Sequence, residues 1–257
     1  MTELQRDRPT GPRHGHLSTA DPLDGIDLLI FDKDGTLIEF HLMWGPWVEE
    51  LAVRLEAATG LPVREGLYPL LGVDRGTRRV EAHGLMAATP MRRLREVVES
   101  YVSDAGAGPA AAAEAVTSSW HAPDPVGLAQ PVTDLKELLS ALRRRVPTFA
   151  VATSDDREPT ERTLAALGIA GEMAALACAD DGIRPKPAPD PVLHLCSALG
   201  TTPARTAVIG DSPADMRMAR AAGAGRVIGV LSGVGDRATL EPLADLVLDS
   251  IADLAPA

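Results

Sequence analysis

The sequence predicts the α/β class: a doubly wound parallel sheet interrupted by an inserted, all-helical segment. Three observations carry this. Short apolar runs alternate with amphipathic helical stretches from Val132 to Leu248, the rhythm of a parallel sheet with helices on both faces. From Trp47 to Ala122 that rhythm gives way to helical patterning alone. Acids, hydroxyls or a lysine follow the apolar runs, and open parallel sheets bind ligands at their strands' carboxyl ends.

Residues 1–21 are polar and rich in Arg, Pro, Gly and His, and are expected to form a disordered arm with His14 and His16 solvated. Ile26–Asp32 is the first strand, followed by a polar and aromatic loop, Glu39–Pro46. From Trp47 to Thr59, Val48, Leu51, Ala52 and Leu55 share one helical face, and Gly60 ends the helix. Residues 61–89 hold short helical pieces and a basic loop, Asp74–Arg79. Pro90 opens a helix to Val102, and the alanine run 110–116 supports another, to Trp120. Pro123-Asp124-Pro125 looks like a linker. Then follow a helix over Val132–Arg144, a strand over Thr148–Ala152, a helix over Glu158–Leu167 and a strand over Ala174–Ala177. A helix over Pro189–Leu199, a strand over Ala207–Ile209, a helix over Pro213–Ala222 and strands over Arg226–Val230 and Leu246–Leu248 complete the chain. The expected organisation is an arm (1–21), a sheet core (22–46 and 123–257) and a helical insertion (47–122).

Composition narrows the function. The 257 residues carry a formal net charge of -11, which argues against nucleic-acid binding, since that wants a basic face. It does not exclude an anionic substrate, because a metal and a few local cations can reverse the field inside a pocket. The two cysteines, Cys178 and Cys196, lack metal-ligand spacing; as buried free thiols they fit a reducing, cytoplasmic location. No apolar run reaches the length of a membrane span.

The richest stretch is Leu28-Leu29-Ile30-Phe31-Asp32-Lys33-Asp34-Gly35-Thr36-Leu37. An apolar run leads two carboxylates, one residue apart, into a glycine turn. Alternation sends Lys33 to the side opposite Asp32 and returns Asp34 toward the side of Asp32. Paired acids at a buried strand end repel and lose hydration, so a cation or substrate is expected to compensate. A helix–loop–helix calcium site is excluded: it needs Glu at the twelfth position, and the twelfth residue from Asp32 is Met43.

Three further strand ends carry related chemistry. The second ends in Thr153-Ser154-Asp155. Arg184-Pro185-Lys186-Pro187 follows the third. The fourth ends in Gly210-Asp211-Ser212-Pro213-Ala214-Asp215. In this order the four stretches resemble the four motifs of the haloacid dehalogenase superfamily of phosphohydrolases. The helical insertion resembles the cap of its phosphoglycolate phosphatase and β-phosphoglucomutase branch.

The resemblance implies a Rossmann-like α/β core with an α-helical cap, and a Mg²⁺-dependent phosphatase acting on a small phosphorylated metabolite. Asp32 is then the nucleophile that forms an aspartyl-phosphate, and Asp34 the general acid, later base. The Mg²⁺ ligands are Asp32, the Asp34 backbone carbonyl and Asp211, with Asp215 supporting a water or the lysine. Thr153, the Ser154 amide and Lys186 hold the phosphoryl group; Lys33 and Gly35 belong to the same substrate loop. Arg75, Arg78, Arg79 and His83 are candidates for a second anionic group on the substrate. His41, Trp44 and Trp47 lie near the expected entrance, where packing under the cap is the favoured role.

Other chemistries are weighed against these residues. A dehalogenase lacks the second acid. A phosphonatase needs a cap lysine for its Schiff base, and Trp47–Ala122 contains no lysine. A β-phosphoglucomutase-like phosphomutase shares the core and differs in how its cap excludes water. A non-catalytic regulator could keep the fold, but would not need a clustered acid site.

Overall fold

The computed structural model describes residues 21–255 except 82–83, 88, 122–126 and 128. The expected arm up to residue 20, with His14 and His16, the candidate His83 and the Pro123–Pro125 linker lie outside the described residues.

Six parallel strands form one sheet in the order β3-β2-β1-β4-β5-β6. They are β1 (Leu28–Phe31), β2 (Thr148–Ala152), β3 (Ala175–Ala177), β4 (Thr206–Gly210), β5 (Arg226–Val230) and β6 (Leu246–Leu248). This is the predicted Rossmann-like sheet. β1 pairs with β2 on one side and β4 on the other. The chain thus grows outward from β1 through β2 and β3, then restarts at β4. Such a reversal opens a crevice at the strands' carboxyl ends.

The strand β1 is buried throughout because both faces are covered. Leu29 and Phe31 pack with Phe149, Leu139 and Leu164 on one face. Leu28 and Ile30 pack with Val192, Leu195 and Met216 on the other. Period-two alternation therefore feeds two cores at once.

The insertion holds α1 (Phe40–Thr59), α2 (Arg64–Leu71), α3 (Met91–Val102) and α4 (Pro109–Ser119). The core helices are α5 (Leu135–Arg143), α6 (Arg157–Ala166), α7 (Asp190–Ala198) and α8 (Pro213–Ala222). α4 packs on α1 and α3, closing a separate apolar cluster around Trp47, Leu51, Leu67 and Val98.

One expectation is corrected. α1 begins at Phe40, not Trp47, so Glu39–Pro46 is mostly helix and Pro46 lies inside it. Phe40, Met43, Trp44, Trp47 and Val48 form one continuous buried face, whose burial outweighs the proline's missing hydrogen bond. A short helix, α9 (Arg237–Leu240), and a 3-10 turn over Ile251–Leu254 lie where the sequence predicts no element; both are too short to show a period. No helix among the described residues is long and apolar enough to cross a membrane.

Candidate active site

The Asp32 amide donates to the Ile209 carbonyl at 2.8 Å, so Asp32 is still held by the sheet as its side chain enters the crevice. Lys33 then closes a tight loop: its carbonyl accepts from Leu37 (2.9 Å) and Ile38 (3.1 Å). Gly35 takes φ +83°, and a Cβ there would sit 2.6 Å from Asp211 Cγ. Only glycine lets the β1 loop pass so close to the β4 carboxylate.

Lys186 joins the loops. Its ammonium lies 2.6 Å from Asp32 Oδ1 and 2.5 Å from Asp215 Oδ1. Asp215 also caps α8: its Oδ2 accepts from the Ser212 amide (3.1 Å) and hydroxyl (2.6 Å). The capping box therefore fixes the acid that in turn fixes the lysine. Asp32, Asp211 and Asp215 offer carboxylate oxygens within 4.8 Å of one another.

Lys33 turns away from Asp32, but the chain has already left β1, so the expected alternation does not separate Lys33 from Asp34. Its ammonium bonds Asp34 Oδ1 at 2.8 Å and pairs with Asp155 Oδ2 at 3.0 Å. Thr153 sits at the end of β2 with its hydroxyl accepting from the Asp155 amide at 3.1 Å. Asp32, Asp34, Thr153, Ser154, Lys186 and Asp211 line one small cavity of about 50 Å³. The cap covers it with Phe40, Trp44, Met86 and Leu94.

Burial dominates the electrostatics. Desolvation pushes the Asp32 carboxyl up to about 7, opposed by Lys186 and reinforced by Asp215 and Asp34. Burial raises Asp34 too, against the pull of Lys33. Asp211 is driven well above the usual carboxylate range by burial, then by Asp32 and Asp215. The neighbouring carboxylates hold both Lys33 and Lys186 protonated despite their burial.

The loop after β5 was missed by sequence reasoning. Val234 donates its amide to Asp211 Oδ2 at 2.7 Å, and Gly235 donates to the Asp211 carbonyl at 2.9 Å. Ser232 donates its hydroxyl to the Gly35 carbonyl at 2.6 Å. His41, at the start of α1, meets the Gly233 carbonyl through Nε2 at 3.0 Å, while its Nδ1 accepts from the Val80 amide at 3.2 Å. Those partners fix the tautomer with the proton on Nε2, and burial lowers its pKa. His41 thus ties the loop that holds Asp211 to the cap. Two glycines in Ser232-Gly233-Val234-Gly235, directly after a predicted strand, were the available signal.

Other candidates fall elsewhere. Arg75 pairs with Glu65 in an exposed contact, and Arg78 takes a left-handed φ of 58° with its carbonyl turned toward Gly45. Neither arginine lines the cavity, and Arg79 does not either. Trp47 is core: its indole donates to the His121 carbonyl at 2.7 Å, and its ring meets Trp120 edge-on at 5.2 Å. Trp44 is buried but lines the cavity, and its indole N–H has no partner among the described residues.

Comparison with known proteins agrees with this architecture. A family model described as haloacid dehalogenase-like hydrolase matches residues 26–223. The phosphoglycolate phosphatase of Agrobacterium fabrum is 30% identical over 230 residues, covering 90% of this chain and 91% of that protein. The N-acetylmuramic acid 6-phosphate phosphatase of Pseudomonas aeruginosa is 29% identical over 202 residues, covering 77% and 79%. A HAD family hydrolase from Deinococcus radiodurans, solved with bound phosphate and sodium, has the same fold, with a TM-score of 0.61 at 24% identity, covering 90% and 93%. With the family match spanning both the strand-end carboxylates and the cap, this chain belongs to the haloacid dehalogenase-like hydrolases.

Proposed function

We propose that this chain is a Mg²⁺-dependent phosphatase that removes phosphate from a small phosphomonoester through an aspartyl-phosphate on Asp32. One observation carries the reading: Asp32 and Asp34 share a cavity wall while different lysines hold them, Lys186 and Lys33. Two acids at one strand end are thus separated into two roles. The curated relatives are named as phosphatases, which supports the reaction class.

The residues suit a hard divalent cation. Among the described residues, Asp32, Asp34, Asp155, Asp211 and Asp215 form ion pairs with Lys33 and Lys186 alone, so the cluster carries excess negative charge when ionised. No described donor reaches the Asp34 carbonyl. Asp32, Asp211 and that carbonyl would hold Mg²⁺, with Asp215 steadying the group from behind. Mg²⁺ bound there supplies charge neutralisation for the phosphoryl oxygens.

Asp32 attacks phosphorus, and the ester oxygen leaves as Asp34 delivers a proton. Burial shifts the Asp34 carboxyl upward, toward the protonated form that a general acid needs. Lys186, the Thr153 hydroxyl and the Ser154 amide balance the transferring group's charge. Asp34 then takes a proton from water as the acyl-phosphate is cleaved, restoring Asp32.

Hydrolysis of p-nitrophenyl phosphate with and without Mg²⁺ tests this. The expected result is Mg²⁺-dependent release of inorganic phosphate by the wild type and none by Asp32→Asn. An Asp32→Asn variant with full turnover, or no turnover with any divalent metal, would refute the reading.

A further inference from the structure

The catalytic cavity of about 50 Å³ has room for a phosphoryl group and a few water-sized groups. The rest of a substrate must lie beyond it. A second cavity, of about 310 Å³, adjoins it at the seam of cap and core, and Trp44, Met91, Ser154 and Asp155 serve both walls. Met43, Trp44, Met91 and Trp120 make one side apolar and partly aromatic, the surface a sugar face or methyl group packs against.

Arg92 and Arg95 of α3 line the same cavity. Spaced by three, they are neighbours on the helix surface. Neither has a carboxylate within ion-pair distance among the described residues, whereas Arg93 between them pairs with Glu96 at 2.6 Å. The Arg95 guanidinium donates once, to the Thr117 hydroxyl at 2.8 Å, and its other donors have no described partner. Asp156, at the same wall, feels the charge of Arg92 but does not pair with it. Asp155 is already paired with Lys33. Unpaired guanidinium forks suit a carboxylate.

We propose that this second cavity is the leaving-group subsite, and that Arg95, assisted by Arg92, selects a carboxylate on a sugar-sized alcohol. The proposal rests on the phosphatase reading. It moves specificity from the Arg75–Arg79 loop to α3. The size argues against a two-carbon hydroxy acid as the best substrate, since such an acid leaves most of the cavity unfilled.

A matched pair tests it: N-acetylglucosamine 6-phosphate and the same compound carrying a 3-O-lactyl ether, which adds the carboxylate. Wild type should prefer the lactyl ether by tenfold or more in kcat/KM, and should prefer it to phosphoglycolate as well. Arg95→Gln should reduce the preference within the pair by tenfold or more. Arg95→Lys, which keeps the charge and loses the fork, should retain part of it, and Arg93→Gln should keep all of it. Equal kcat/KM for the pair in wild type overturns the proposal, as does a preference that survives in the Arg92→Gln/Arg95→Gln double variant. Tryptophan fluorescence during titration with the unphosphorylated lactyl sugar separates this from failure of the hydrolase reading. A saturable change lost in the double variant supports the subsite even if wild type turns over no phosphate ester. No saturable change, in an enzyme that hydrolyses p-nitrophenyl phosphate, overturns it.

Discussion

Replacing Gly233 by alanine tests whether the loop after β5 positions the Asp211 carboxylate. A Cβ on Gly233 would lie 2.5 Å from Asp211 Cβ and would overlap the carboxylate. Carbon atoms in contact rest about 3.5–4.0 Å apart, so loop and carboxylate must separate by at least about 1 Å. They cannot do so freely. Val234 donates to Asp211 Oδ2, Ser232 holds Gly35, and His41 holds the Gly233 carbonyl. Overpacking of this kind costs about 1–3 kcal/mol, and at about 2–4 °C per kcal/mol for a chain of this size Tm should fall by about 2–12 °C. A misplacement of about 1 Å in a catalytic group can cost about a hundredfold. Gly233→Ala should therefore lower kcat/KM for p-nitrophenyl phosphate by about that factor and raise the Mg²⁺ concentration required. Gly171 is the control: a Cβ there meets nothing within 4 Å, so Gly171→Ala should stay within about 0.5 kcal/mol of wild type. A Gly233→Ala enzyme with wild-type kcat/KM and Mg²⁺ dependence would refute the positioning role.

Lys186→Met leaves Asp32 and Asp215 without their shared ammonium. Breaking such a buried pair costs about 3 kcal/mol or more, so thermal melting should show a Tm lower by at least about 6 °C, and phosphatase assay a loss of at least about a hundredfold. In metal-free protein the folded state keeps a proton on Asp32 up to about pH 7, whereas the unfolded chain releases it near the ordinary value of 3.8. That part of stability is complete below pH 3.8 and is lost as pH rises through 7. Mg²⁺ must displace the same proton, so the Tm increase at a fixed Mg²⁺ concentration should be larger at pH 8 than at pH 6; an equal increase at both would count against Asp32 as a ligand. Burial pushes the Cys178 thiol up to about 11, so alkylation at pH 8 should be slow in the native protein, by about a hundredfold relative to an unfolded control. Rapid native labelling would show that the site opens.

The strands and the core helices were legible because each carries a complete local pattern. Leu28–Phe31 is a continuous apolar run, Thr148–Ala152 reads Thr-Phe-Ala-Val-Ala, and α8 is bracketed by Ser212, Pro213 and a closing Gly223. The start of α1 was not legible, because Pro46 reads locally as a break. Only the packing of Phe40, Met43 and Trp44 beneath the cap reveals why the helix runs through it.

The sequence by itself determined the α/β class, the acids, hydroxyls and lysine near four strand ends, and the spacing of Asp32 from Asp34. These follow from residue type and short-range periodicity, which need no knowledge of distant contacts. Only the tertiary structure decided which lysine holds which acid, that the Ser232–Gly235 loop orients Asp211, and that Arg92 and Arg95 rather than Arg75 and Arg78 line a cavity. Lys186 and Asp32 are far apart in the chain and meet at 2.6 Å. Sheet order sets that contact, because Asp32 follows β1 and Lys186 follows β3 in one parallel sheet, and that sheet depends on burying both faces of β1.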